Sequence, residues 1–411
     1  MADVLAAPQQ AKTDTTFRTL SLISTAHWVS HFHMLVLPML FPFLRAQLGV
    51  GYIELGFALT VFAVVSGLTQ APLGYIVDHV GARKILLAGL CLGGVALIML
   101  GLHLSYTWLV ASAGLLGVAN SVYHPANYAI LSAHMDDARM GRAFSVHTFA
   151  GFLGGAVAPA IMAALVTWIG GFGALIVAGA VGPLVAVLLV TLGVPDAGAK
   201  HRRASGAATP QQSIVTPLLI MLTIFFTLLG LSSAGIGNFG VVALMSGYGA
   251  SFSTANVALT VYLGASAVGV LAGGILADRT KRHGQVSACF AVNAAVVFLI
   301  ACTTPPTVLL IAAMMVAGFL GGVIAPSRDM MVLNAAPAHA AGRAFGIVST
   351  GFNFSGIASP LLFGWIMDQN MPRWVFGASA AFMVLTVLLA LFTDRDPREQ
   401  EEEPDLGLMS P

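Results

Sequence analysis

Charge is what this chain has least of. Only 9% of its 411 residues are Asp, Glu, Lys or Arg, against 57% hydrophobic. The mean hydropathy is +0.88. A soluble domain carries roughly 25% charged residues. This chain cannot cover a water-facing surface, so its solvent is lipid. A net charge of +1 offers nothing to a nucleic acid. Cysteine is equally scarce. Cys91, Cys289 and Cys302 lie in apolar runs, without disulfide or metal-ligand spacing. Met1 to Thr16 is polar and has no apolar core, so no cleaved signal peptide is expected, and the first hydrophobic helix would direct insertion. No Gly-Lys-Ser/Thr phosphate loop occurs, which excludes transport driven by an ATPase on this chain. No catalytic arrangement stands out either, so neither enzyme activity nor a cofactor is expected.

What is present is a series of long apolar runs. A spanning helix needs about 20 mostly apolar residues. Twelve are predicted, over 19–44, 53–77, 84–103, 106–132, 142–168, 171–193, 215–245, 253–277, 286–304, 306–334, 343–368 and 373–393. Polar, basic Pro195 to Ser213 is the one evident linker, and Glu399 to Pro411 forms an acidic tail expected to be disordered. The chain divides accordingly into an N-terminal tail (1–18), a six-helix bundle (19–194), a linker (195–214), a second bundle (215–394) and a C-terminal tail (395–411). Twelve spans place both termini on one side. That side carries fifteen Lys and Arg residues, while only Arg45 and Arg373 fall on the other. The positive-inside rule then makes the termini and linker cytoplasmic, in a bacterial-type inner membrane.

The two bundles repeat each other at an offset of 200 or 201 residues. Pro125 matches Pro326, Gly141-Arg142-Ala143-Phe144 matches Gly342-Arg343-Ala344-Phe345, and Pro159 matches Pro360. Duplicated halves of hydrophobic helices are the mark of a transporter built as two bundles around a central site. The predicted fold is an all-α integral membrane protein with twelve transmembrane helices in two pseudo-symmetric six-helix bundles.

Two loops carry a shared motif. Gly74-Tyr-Ile-Val-Asp78-His-Val-Gly81-Ala-Arg83-Lys84 joins spans two and three, and Gly274-Ile-Leu-Ala-Asp278-Arg279-Thr-Lys281-Arg282 joins spans eight and nine. Glycine lets helices pack closely, and the aspartate can cap a helix start or pair with a cation across the bundle. At this spacing in both halves, the pattern resembles the loop signature of the major facilitator superfamily, with His79 where Arg is usual and Lys281 where Gly is usual. Such residues would serve structure and gating. Span five carries Gly151-Phe-Leu-Gly154-Gly155-Ala-Val-Ala-Pro159, answered by Gly351 to Pro360 in span eleven. This run is similar to the glycine-proline signature of proton-linked antiporters, with Ala158 in place of a Gly, and it equally suits plain helix packing. Gly117-Val-Ala-Asn120-Ser-Val-Tyr123-His124-Pro125, with His27-Trp-Val-Ser-His31 and His147, resembles the fosmidomycin-resistance branch. The resemblance implies the major facilitator fold and a proton-driven exporter of small, often anionic compounds, with possible drug resistance. Two departures count against drug export. Ala126 and Asn127 follow His-Pro where that branch can carry a carboxylate, and Ala111-Ser112-Ala113 replaces the intramembrane Arg of many drug antiporters.

Ionisable groups at membrane depth are expensive and usually functional. Here they are His27, His31, His33, His124, His147, Arg328 and Asp329. His27 and His31 are four apart and share a helix face, whereas His33 points elsewhere and is read as bonding a neighbouring helix. The repeat acts as a subtraction. His124 corresponds to Ala325, His147 to Val348, and Asn127-Tyr128 to Arg328-Asp329. The framework is shared and the titratable groups are not. Histidines can exchange protons near pH 6.5, and Arg328, which cannot deprotonate, can attract an anionic group. Arg328 and Asp329 are neighbours pointing about 100° apart, so their mutual pairing is expected to be awkward. Asp329 would carry a proton or neutralise Arg328. Asn120, Tyr123, Asn238 and Asn353 would supply neutral hydrogen bonds, and Trp28, Tyr128 and Tyr262 apolar walls.

The residues thus point to a monomeric, proton-coupled secondary transporter of a small, anionic organic molecule, with export or antiport ahead of uptake by symport. His124, Asn120, Tyr123, Asn353 and Arg328 would bind substrate, and His27, His31, His147 and Asp329 would couple protons. One alternative is a transition-metal transporter using the four histidines as ligands. The other is a membrane receptor or scaffold that transports nothing.

Overall fold

The computed structural model describes residues 3–197, 216–279, 283–335 and 341–393. Lys281, Arg282, most of the linker and the C-terminal tail lie outside the described residues, as do the side chains of Asp278 and Arg343. With no water to satisfy backbone N–H and C=O groups, an apolar chain in lipid must satisfy them internally, and helices do so within one segment. Twelve helical elements result among the described residues: α1 (Asp3–Met39), α2 (Phe41–Leu48), α3 (Tyr52–Val80), α4 (Ala82–Leu102), α5 (Tyr106–His134), α6 (Asp137–Thr191), α7 (Pro217–Tyr248), α8 (Phe252–Arg279), α9 (His283–Cys302), α10 (Thr307–Ala335), α11 (Ala341–Asp368) and α12 (Trp374–Thr393).

Elements and spans do not coincide one to one. α1 and α2 form a single span bent by 47° at Leu40, with Pro42 in the first turn of α2. α6 is two spans joined at Gly170, whose φ of 72° breaks the helix in the left-handed region that glycine tolerates. By length and apolarity alone, eight described helices qualify as spans, and the bent pair makes a ninth. The double length of α6, the polar α5 and the partly described α9 account for the rest of the twelve. α5 falls short on composition because it carries Asn120, Ser121, His124 and Asn127. α1 begins at Asp3, so helix extends into the segment read from sequence as a tail. Local chemistry sets other ends. The Ser105 hydroxyl accepts from the Trp108 N–H at 3.2 Å and that of Thr216 from Leu219 at 3.2 Å. Gly49 and Gly249, both at φ 66°, close α2 and α7.

The halves meet mainly where α3 packs on α11 and α6 on α8. Along the first pair the separation grows steadily. A side-chain carbon added at Gly56 would lie 2.2 Å from the Pro360 carbonyl. The corresponding distance is 3.4 Å from Gly356 to Ala63 and 3.9 Å from Gly67 to Asn353, and Gly346 meets nothing within 4 Å. Polar contacts mark the closed end. The Asp368 carboxylate accepts from the N–H groups of Tyr52 and Ile53, both at 2.8 Å, and Thr60 donates to the Ile357 carbonyl at 2.9 Å. The bundle is therefore shut at the Asp368 end and splayed at the Asp78 end.

The loop motif behaves differently from its expected role. The start of α4 is capped by Asp196, whose carboxylate accepts from the Arg83 N–H at 3.0 Å, and not by Asp78. Gly81, at φ 112°, turns the chain directly against that carboxylate. Gly74 rests near Pro125, while Gly274 faces open space and Arg279 is exposed.

Candidate functional site

The i, i+4 spacing on α1 brings His27 and His31 edge to face, 4.7 Å between ring centroids. His147 of α6 stacks on His27 at 4.0 Å and an interplanar angle of 10°, and His124 of α5 approaches it at 5.3 Å. Three helices thus deliver four imidazoles to one place. Tyr128 closes the cluster, 5.6 Å from His124 and 5.8 Å from His147. His27 Nδ1 lies 2.8 Å from the His147 carbonyl oxygen. A carbonyl only accepts, so Nδ1 carries hydrogen. His27 Nε2 and both ring nitrogens of His147 are buried without a partner. In a native interior such atoms are uncommon and call for an explanation.

The glycines of span five make room for this cluster. A side-chain carbon at Gly151 would stand 2.6 Å from His27 Cε1 and 3.0 Å from His31 Cδ2. At Gly154 it would stand 2.2 Å from the Trp28 carbonyl oxygen, so this glycine lets α6 pack on the backbone of α1. His33 points away, its Nε2 donating to the Ala178 carbonyl at 3.1 Å.

A cavity of about 460 Å³ lies between the halves. His31 is the member of the cluster that lines it, and Arg328 lines it from α10. Arg328 packs against two adjoining aromatic rings, Phe226 at 5.0 Å and Phe352 at 5.2 Å from its guanidinium carbon. Its Nε donates to Asp329 Oδ1 at 2.9 Å. The sequence expectation that these neighbours pair awkwardly is corrected here. The long arginine side chain bends back far enough to cross the angle between them. Asp329 itself is half exposed and does not line the cavity.

Three residues expected at the substrate do not line this cavity. Asn120 donates to the Ser66 hydroxyl at 2.9 Å, pinning α5 to α3. Tyr123 is buried in the core of the first half. Asn353 is exposed beside Gly67, below the cavity lining. Asn238 and Tyr262 do line the cavity. Sequence reasoning missed Asn293 and Ser359. Both line the cavity, both are buried, and their side-chain polar atoms have no partner. A larger groove, about 1170 Å³, runs between α9 and α12 and shares no lining residue with the central cavity. Its walls are apolar apart from its mouth at Arg373, so the convergent polar groups lie in the central cavity instead.

The sequence pattern of the Major Facilitator Superfamily matches residues 23–246 and again 222–408. The chain belongs to that superfamily. Among its relatives is the fosmidomycin resistance protein of Escherichia coli strain K12, 26% identical over 286 residues, covering 67% of this chain and 69% of the relative. Another is the probable sulfoacetate transporter SauU of Cupriavidus necator, 25% identical over 432 residues, covering 95% and 97%. The fold matches a bacterial homologue of the human lysosomal transporter Spinster, solved in an inward-facing, occupied conformation, with TM-score 0.74, 15% identity and coverage of 92% and 96%. As a superfamily member the chain is a multi-pass membrane protein and a secondary transporter, not an enzyme.

Proposed function

We propose that this superfamily member moves a small organic anion in exchange for protons, by alternating access around the central cavity. The observation that carries the reading is that one cavity joins His31 of the first half to Arg328 of the second. Arg328 is permanently charged and rests against a pair of phenyl rings, so an anionic group entering the cavity meets a fixed cation. His31 presents the histidine cluster to the same space. His27, in ring contact with His31, gathers His124 and His147 directly behind it, so the titratable groups lie together next to the cavity. His27, His31 and His147 are the coupling groups in this reading, His124 belongs to the cluster behind His31 and does not line the cavity, and Asp329 offsets the charge of Arg328 when no anion is present.

Among the described residues no three His, Cys, Asp or Glu side chains are placed to hold a metal ion, which leaves the transition-metal reading without support. The sulfoacetate relative is named for a small organic anion, in keeping with the arginine. The resistance relative favours export, and uptake by symport is the other outcome of the same assay. We further place the Asp78 end, with its Lys and Arg residues, in the cytoplasm and the Asp368 end outside. The splayed conformation is then open inward. A pH jump across proteoliposomes tests the reading, since flux of an anion must follow the imposed proton gradient.

A further inference from the structure

Resting on the anion reading above, the C-terminal half of the cavity adds a second demand on the substrate. Asn293 belongs to α9, a helix packed outside α10, yet it lines the central cavity. It does so beside Gly321 of α10, which has no side chain. A carbon at Gly321 would come within 3.3 Å of Asn293 Nδ2. Neither the amide nitrogen nor the amide oxygen of Asn293 has a partner, and the residue is 0% exposed. Ser359 of α11 also lines the cavity, with its hydroxyl unpartnered and 1% exposed. The walls around them are mostly apolar, with Leu35, Leu59, Phe62, Phe152 and Phe290 contributing. An unpartnered amide in such a wall is costly to keep. It is explained if the missing partner arrives with the substrate.

We propose that Asn293, assisted by Ser359, is a specificity-determining residue that hydrogen-bonds an uncharged polar group of the transported anion. Gly321 and Arg328 are seven residues apart on α10, roughly 10 Å along the helix at 1.5 Å per residue. The two anchors therefore grip opposite ends of one molecule. The substrate class is a short carboxylate or sulfonate bearing a hydroxyl, carbonyl or amide several bonds from its acid group. An asparagine both donates and accepts, so it takes any of the three. A simple alkyl anion of the same length would leave the amide unpaired and bind less well.

The experiment uses the purified full chain and a panel of four- to six-carbon ω-hydroxycarboxylates and ω-hydroxysulfonates, each paired with its deoxy partner. Affinity is read by calorimetry. The wild type is expected to prefer the hydroxylated member of the best pair by about tenfold. Asn293→Leu should remove that preference by lowering affinity for the hydroxylated member to that of its deoxy partner. Ser359→Ala, a milder change, should reduce it. Arg328→Gln should weaken both members together. If the panel binds through Arg328 but the hydroxyl preference is absent, or survives both Asn293→Leu and Ser359→Ala, the second anchor is wrong while the anion reading stands. If no member binds, or Arg328→Gln changes nothing, the anion reading falls and takes the second anchor with it.

Discussion

Arg328 and His31 occupy one cavity but are assigned different work, and single substitutions separate them. Arg328→Gln removes the fixed cation. A hydrogen bond to a charged group contributes roughly 1.5–3 kcal/mol, so anion affinity should fall by about one to two orders of magnitude. Arg328→Lys should rescue it only in part, because the planar fork resting on Phe226 and Phe352 is lost. His31→Gln should leave binding nearly intact and abolish the response of flux to pH. Gly151→Ala is the sharpest steric test. Its added methyl would stand 2.6 Å from His27 Cε1, so the ring must move. Overpacking of this kind costs about 1–3 kcal/mol. The expected result is a lower melting temperature together with impaired proton coupling, measured in parallel on the same preparation. Asn293→Leu should do the opposite to stability. Replacing an unsatisfied buried amide with an apolar group raises the melting point in the absence of substrate, by an amount on the order of 1 kcal/mol.

At the scale of the helix, the closed end is a machine part that can be tested. Asp368 of α11 binds the first N–H groups of α3 across the interface between halves, and its charge complements the positive end of that helix. Opening at that end must break both hydrogen bonds. Asp368→Ala should therefore shift the population towards the state open at that end, since losing a cap costs roughly 0.5–2 kcal/mol. Spin labels at Ile53 and Leu361, both exposed, would report a longer distance in the variant. An unchanged distance distribution would rule out a gating role for this cap. The helices themselves were largely legible in the sequence, since apolar length and Gly/Pro punctuation fix span boundaries to within a few residues. The 47° bend at Leu40 was not, although Pro38 and Pro42 flank it, because a proline marks a break without giving its angle. The helix that carries each polar group was legible, and the direction in which it points was not. His27 and His31 could be paired from their spacing on one helix, but Asn120 and Tyr123 had no such partner and turn into the first half. The capping aspartates, Asp196 and Asp368, lie 113 and more than 300 residues from the N–H groups they bind, so no local pattern announces them. Asn293 was hidden for a related reason. It meets the cavity beside the side-chain-free Gly321, and a glycine in an apolar helix reads as helix packing.

Across the whole molecule, the duplicated architecture leaves the chemistry unequal. The first half supplies the imidazoles, and the second supplies the guanidinium and the unpaired amide and hydroxyl. In the mechanism we propose, rocking two halves about one cavity changes which side sees these groups while keeping them together, and so couples proton and anion movement without any contact between remote sites. The same asymmetry predicts that a proton gradient and an anion gradient each drive the other, as linkage requires. The central claim is that coupling, and one assay addresses it directly. Wild-type, His31→Gln and Arg328→Gln proteins are reconstituted into proteoliposomes. Flux of a panel of small organic anions, sulfoacetate among them, is followed after a pH jump in each direction. The account predicts wild-type flux that reverses with the sign of the gradient, gradient-independent flux in His31→Gln, and little flux at any gradient in Arg328→Gln. Anion flux in the wild type that ignores the imposed proton gradient would contradict it.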